Sequence, residues 1–113
     1  MAELAARSDH LVLALPATRH ILAGAVLAHA KPGLHIVNAA RGSLIDQNVL
    51  IEALDSNRVA AARLDVTDPE PLPEGHPRYS HPPMRLTPHV SWSSSGNAGR
   101  LAAKALENLD CYA

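Results

Sequence analysis

The chain has 113 residues, enough for one domain and too few for two ordinary ones. A net charge of −1 with scattered basic residues excludes the electrostatic footprint of a nucleic-acid or anionic-membrane binder, and no apolar run approaches the roughly 20 residues that span a bilayer. The amino terminus MAELAARSDH has no apolar signal-peptide core, and a single cysteine, Cys111, excludes an internal disulfide and fits a reducing cytoplasm.

A hydrophobic fraction of 47% without phenylalanine predicts a core of Leu, Val, Ile and Ala. Residues 1–8 read as a helix end running into a turn. His10 to Leu15, an apolar run stopped by Pro16, reads as a strand. Thr18 to Ala28 has apolar residues at helical spacing and predicts a short one-sided helix. Lys31-Pro32-Gly33 breaks it. Leu34 to Ala40 then reads as a buried strand that ends in Arg41-Gly42. Asp46 is a good N-cap for a helix over Gln47 to Ser56, and Asn57, tolerant of the left-handed conformation, can end it. Ala60 to Val66 is a third strand whose small residues suggest close packing.

Asp68 to Pro83 differs in kind, with six prolines, one glycine and two histidines; it reads as an ordered functional loop. Met84 to Thr87 is a fourth strand stopped by Pro88. After a turn-rich entry, Ala98 to Tyr112 predicts a final amphipathic helix with Leu101, Ala105, Leu106 and Leu109 on one side. The alternation argues for an α/β fold, a parallel sheet of about four strands with crossover helices. Right-handed crossovers put every strand's carboxyl end on one edge, where open α/β sheets bind ligands. Pro16, Arg41, Asp65 and His89 all fall at or just beyond that edge.

Those residues suggest a chemistry. Arg41 is a permanently charged fork that can hold a carboxylate by two parallel hydrogen bonds. His89 can give or take a proton near neutral pH. Glu70, in Asp-Pro-Glu-Pro, can fix the imidazole tautomer and favour its protonated form. Together they make a 2-keto or 2-hydroxy acid site, which needs a bound hydride carrier. His10, His20, His29, His35, His76 and His81 read as unremarkable. His76 and His81 lack a convincing third ligand, so no metal site is expected.

Four segments carry a resemblance to a known family. They are Ser8-Asp9-His10-Leu11-Val12 through Leu15-Pro16-Ala17-Thr18; Lys31-Pro32-Gly33 through Asn38-Ala39-Ala40-Arg41-Gly42; Leu64-Asp65-Val66 followed by Pro69-Glu70-Pro71-Leu72-Pro73; and Thr87-Pro88-His89-Val90. In order and spacing the chain resembles the D-isomer-specific 2-hydroxyacid dehydrogenases over about positions 8 to 90. The resemblance implies that Arg41 binds the substrate carboxylate, that His89 is the acid/base, and that Glu70 pairs with it. It maps cofactor contacts, to NAD or NADP, onto Leu15, Pro16, Ala39, Ala40, Arg41, Asp65 and His89. It implies a small 2-keto or 2-hydroxy acid substrate of glyoxylate, hydroxypyruvate or phosphoglycerate type.

The chain departs from the family in lacking the Gly-x-Gly-x-x-Gly turn that receives a dinucleotide pyrophosphate. The expectation is therefore the second half of a Rossmann-type domain: residues 1–92 a partial dinucleotide-binding domain, and residues 93–113 a helix that would lead toward an absent substrate domain. Such a piece is expected to have weak or no activity alone. The alternative is a non-catalytic Rossmann-half module. On either reading the unpaired edge of the first strand predicts self-association into a homo-oligomer, in the cytoplasm, with no nucleic-acid or membrane partner. An unrelated flavodoxin-like module sharing only the strand-end geometry is a third reading.

Overall fold

The structure, a computed structural model, describes residues 1–111. Its centre is a parallel four-stranded sheet in the order β1-β2-β3-β4, with β1 His10–Leu13, β2 Leu34–Asn38, β3 Val59–Leu64 and β4 Met84–Leu86. The helices are α1 Ala2–Arg7, α2 Gly24–Leu27, α3 Gln47–Asp55 and α4 Asn97–Asp110, with 3-10 turns at Gly42–Leu44 and Pro77–Tyr79. The expected α/β architecture is present, and all four strands point the same way. Among the described residues no helix is long and apolar enough to cross a membrane.

The register shows how the core is built. Leu11 pairs with Ile36, Ile36 with Ala62 and Ala62 with Met84, and side chains in register share a face. These four residues are buried together with Leu13, Leu27, Leu34, Leu50, Leu54 and Val59. Each such aliphatic side chain taken from water contributes roughly 2 kcal/mol. The row Val12, Val37, Arg63, Arg85 points to the opposite face, where Val12, Arg63 and Arg85 are exposed.

Helix α3 forms as its sequence predicts. The Asp46 carboxylate accepts from the Asn48 and Val49 amides, Leu50, Ala53 and Leu54 are buried, and Asn57 takes a left-handed φ of 55° just past the end.

Other boundaries move. The helix expected over Thr18 to Ala28 is only Gly24–Leu27. His20 sits at φ 49°, and the amides of His20 and Leu22 donate to the carbonyls of Ser43 and Leu44. Leu22 is drawn into a parallel bridge with Ile45, so His20 and Leu22 bond to another segment instead of to their own helix. Strand β1 stops at Leu13, where its partner β2 stops, rather than at Leu15. Strand β2 ends at Asn38 rather than Ala40 because the Asn38 side chain turns the chain. The third strand is Val59–Leu64 rather than Ala60–Val66, and the fourth stops at Leu86, although the Asp65 and Thr87 amides each still donate one bond across the sheet, to Asn38 and Leu64.

The last helix is present, but none of its residues is buried; Leu101, Leu106 and Leu109 all stand exposed. Tyr112, expected within it, lies outside the described residues.

Candidate functional site

The carboxyl ends of the strands form one edge, and each end is shaped by a polar device. After β2, Asn38 is only 1% exposed. Its amide nitrogen donates to the Arg41 carbonyl at 2.9 Å, and its amide oxygen accepts from the Ala40 N–H at 3.1 Å. This pair of bonds folds Ala39, Ala40 and Arg41 into a tight turn and leaves Arg41 exposed. The guanidinium donates to its neighbour's carbonyl, Ala40 O, and meets no carboxylate among the described residues, so its fork is available to an anionic ligand. Gly42 explains how the turn seats: a Cβ there would lie 2.1 Å from the Thr67 carbonyl and 2.6 Å from the Asp68 nitrogen. The Arg41 turn is thereby packed backbone to backbone against the start of the proline-rich segment.

After β3, Asp65 is buried. Its Oδ1 accepts from the Thr87 hydroxyl at 2.5 Å and the Val90 N–H at 3.0 Å, and its Oδ2 from the Ser91 N–H at 2.8 Å. Burial pushes this carboxyl up, but the hydrogen bonds from Thr87, Ser91 and Val90 outweigh it and hold Asp65 well below the usual carboxylate range. The clamp brackets His89, whose φ of 54° is left-handed, a conformation a non-glycine residue keeps only when its surroundings hold it. Asp65, expected as a cofactor contact, thus spends both oxygens on the turn that presents His89.

His89 Nδ1 and Glu70 Oε1 are 2.6 Å apart. A carboxylate only accepts, so Nδ1 carries the hydrogen and Nε2 is left to exchange a proton with a ligand. Both side chains are about two-fifths exposed, 37% and 40%. They line a cavity of about 560 Å³ shared with Asp65, Leu72, Tyr79 and Leu86. A smaller hollow of about 220 Å³ on the neighbouring strand ends is lined by Asn38, Ala39 and Asp65, with Arg63 and Arg85 at its side. Leu15 and Pro16 lie just beyond the end of β1, Leu15 half-buried against the core and Pro16 exposed.

Glu70 and His89 are therefore brought together. Arg41 reaches them through the contact of Gly42 with Thr67 and lines neither cavity. The other histidines of the proline-rich segment serve the fold: His76 Nδ1 accepts from the Arg78 amide, and His81 Nε2 meets Asp55 at 3.1 Å. Sequence reasoning missed Thr87, Val90 and Ser91 as clamp members, and it gave Asn38 no role. A buried polar residue at the last inward-facing strand position was the available signal for Asn38.

Residues 1–91 match the family model described as D-isomer specific 2-hydroxyacid dehydrogenase, NAD binding domain. The chain belongs to this family. Among its relatives, glyoxylate/hydroxypyruvate reductase A of Serratia proteamaculans is 42% identical over 67% of this chain and 24% of that protein. The human glyoxylate reductase/hydroxypyruvate reductase is 36% identical over 95% of this chain and 34% of that protein. In the apo crystal structure of Rhodotorula graminis D-mandelate dehydrogenase, the likeness has a TM-score of 0.86 at 33% identity, over 96% of this chain and 32% of that one. A Xanthobacter autotrophicus Py2 family member in complex with NADPH and MES gives 0.75 at 38% identity, over 79% and 30%. The chain spans about a third or less of the length of these proteins.

The family's cofactor can be tested against the strand ends. The turn after β2 exposes Ala39, a residue too small to block a flat ring, beside the 220 Å³ hollow, while Ala40 packs half-buried against the core. These features fit the nicotinamide end of a dinucleotide. The sequence offers no glycine-rich turn for the pyrophosphate.

Proposed function

We propose that this chain carries the catalytic edge of an NAD(P)H-dependent D-2-hydroxyacid dehydrogenase, which reduces a small 2-keto acid to its D-2-hydroxy acid or runs the reverse. The observation that carries the reading is the 2.6 Å His89–Glu70 pair opening onto a cavity whose Thr67 packs on Gly42, next to Arg41, an arginine with no carboxylate partner among the described residues. The relatives named for glyoxylate, hydroxypyruvate and mandelate support it, since those compounds share a 2-keto or 2-hydroxy acid head and differ in the rest.

Each residue then has a role. Arg41 grips the substrate carboxylate with two parallel N–H···O bonds. The Nε2–H of His89 gives its proton to the keto oxygen as C2 becomes tetrahedral, while Nδ1–H stays on Glu70; in the oxidative direction Nε2 takes the hydroxyl proton. Asp65 keeps the turn of His89 in place. The backbone of Ala39 and Ala40 and the Leu15-Pro16 turn would hold the dinucleotide, NAD or NADP, with Arg41, Asp65 and His89 at its reactive end. When bound, the nicotinamide supplies or accepts the hydride at C2. Residues 1–92 are assigned to the dinucleotide-binding part, and the rest, with α4 at Asn97–Asp110, to a connection leading toward a substrate domain.

Titration with oxamate, a 2-keto acid analogue, followed by NMR tests the reading. The Arg41 guanidinium and His89 ring signals are expected to move together, and Arg41→Lys to weaken binding at least tenfold because an ammonium cannot form the bidentate pair. Oxamate that moves neither residue would sink the proposal. The working form is further proposed to be a homo-oligomer, in the cytoplasm; the position of β1 at the end of the sheet and the exposure of Val12 support the association. A clean monomer by sedimentation at high concentration would count against it.

A further inference from the structure

The 560 Å³ cavity has a chemistry of its own. It falls in the roughly 300–1,000 Å³ range of ligand pockets, far more room than a two- or three-carbon acid fills. Its walls include Pro71, Leu72, Tyr79, Leu86 and Pro88. Its polar members are mostly engaged already. Asp65 is bonded to Thr87, Val90 and Ser91. The Thr67 hydroxyl donates to the Pro69 carbonyl at 2.9 Å. Glu70 is bonded to His89. No lysine or arginine lines the cavity. What remains for a ligand is the outer nitrogen of His89 and an apolar surface.

The cavity is also braced. Leu72 is buried, and the Tyr79 hydroxyl donates to the Leu72 carbonyl at 2.9 Å, fixing the ring as one wall. It adjoins the carboxylate-binding side as well, because Thr67 lines it and Gly42, next to Arg41, packs on the Thr67 backbone. A 2-keto acid with its carboxylate on Arg41 and its keto oxygen on His89 would direct the C3 substituent into this space.

We propose that the cavity is the subsite for that substituent, and that it selects 2-keto acids bearing an apolar group of branched-alkyl or aryl size over small, phosphorylated or acidic ones. The inference rests on the 2-keto acid reading above and adds the substrate class. A buried phosphate or carboxylate would find no lysine or arginine there and would face Glu70, with only the His89 ring, already paired with Glu70, to offset a large desolvation cost. An apolar group gains about 0.8 kcal/mol per buried CH₂.

The test is an NMR titration of the full chain with pyruvate, phenylpyruvate and 2-oxoglutarate in parallel. Phenylpyruvate is expected to bind at least tenfold more tightly than either other acid, to move Arg41 and His89, and to show ring contacts to the methyls of Leu72 and Leu86. Tyr79→Ala, at an exposed position, is expected to cut that preference at least threefold. Equal affinities for the three acids, all moving Arg41 and His89, would overturn the subsite and leave the 2-keto acid reading standing. No movement of Arg41 or His89 with any acid would overturn both. Phenylpyruvate touching Leu72 and Leu86 without moving Arg41 or His89 would make the cavity an apolar hole and overturn the subsite.

Discussion

Two regions of this molecule are held by different forces. The body, from β2 through α3 to β3, is a packed aliphatic core with Leu34, Ile36, Leu50, Leu54, Val59 and Leu64 buried. The segment from Asp65 to Ser91 buries little, with Leu72, Arg78 and Met84 as its inward-facing side chains after Val66. Its shape comes from particular hydrogen bonds, namely the Asp65 clamp, the Tyr79–Leu72 bond and the His89–Glu70 pair. The first kind of region tolerates much as long as volume is conserved. In the second, one bond can decide where a functional atom points. The catalytic histidine of the proposed reaction sits in the second, its turn held by the Asp65 carboxylate, while the pairing of β4 on β3 and the Gly42–Thr67 contact join the two regions.

The comparison can be broken at the junction. Gly42→Ala drives a Cβ into the Thr67 backbone, where neither chain can yield, and is expected to cost at least about 3 kcal/mol by denaturant unfolding, at the upper end of overpacking effects. If that variant melts like the parent, body and segment are not packed as described. Leu50→Ala tests the body alone. A fully buried leucine is expected to cost about 3 kcal/mol and to leave the His89–Glu70 signals of the residual folded protein unchanged.

Asp65→Asn tests the segment. It places an N–H₂ or loses the charge where three donors converge, and about 2 kcal/mol is expected to be lost. The His89 ring resonances are expected to change before the core methyls do, and a uniform loss across both regions would erase the distinction. The pH dependence follows from the depressed carboxyl. Asp65's contribution is fully present above the unfolded carboxylate value of about 4 and is lost as pH falls through its lower folded value. Asp65→Asn is therefore expected to flatten acid unfolding below about pH 4, and an unchanged acid limb would refute the clamp.

The smallest effect has the opposite sign. Arg78 is 3% exposed with its Nε unpartnered. Burial pushes its guanidinium down, against the pull of Asp68. Arg78→Met keeps the stem and removes the unsatisfied group, so a gain of about 1 kcal/mol is expected in thermal melts. A loss would mean that the guanidinium has a partner that matters.

Much of the site was legible because its residues follow strand ends. Arg41, Asp65 and His89 each follow a short apolar run, and a parallel sheet brings such positions to one edge whatever the helices do. Glu70 could be matched to His89 because both follow strands at one edge and the family resemblance pairs them; the fold brings them to 2.6 Å. The bonding of Asp65 was not legible. The family resemblance implies a cofactor contact there, and only the folded backbone shows Val90 and Ser91 turning their amides onto the carboxylate. The helix expected over Thr18 to Ala28 failed for a similar reason. Its periodicity was real, but Leu22 satisfies its backbone on Leu44 and Asp46, partners more than twenty positions away that no local window contains.

The same division holds for the whole chain. Sequence by itself determined the α/β class, the four strands and the N-cap of α3, because periodicity and capping act over a few residues; it nominated Glu70 and His89, which the fold brings to 2.6 Å. Tertiary structure decided that Gly42 must be glycine, that Asp65 serves His89, that a braced apolar cavity lies beside it, and that the leucines of α4 face outward among the described residues. Those outcomes depend on which distant backbone or side chain arrives alongside, and local pattern carries no record of that.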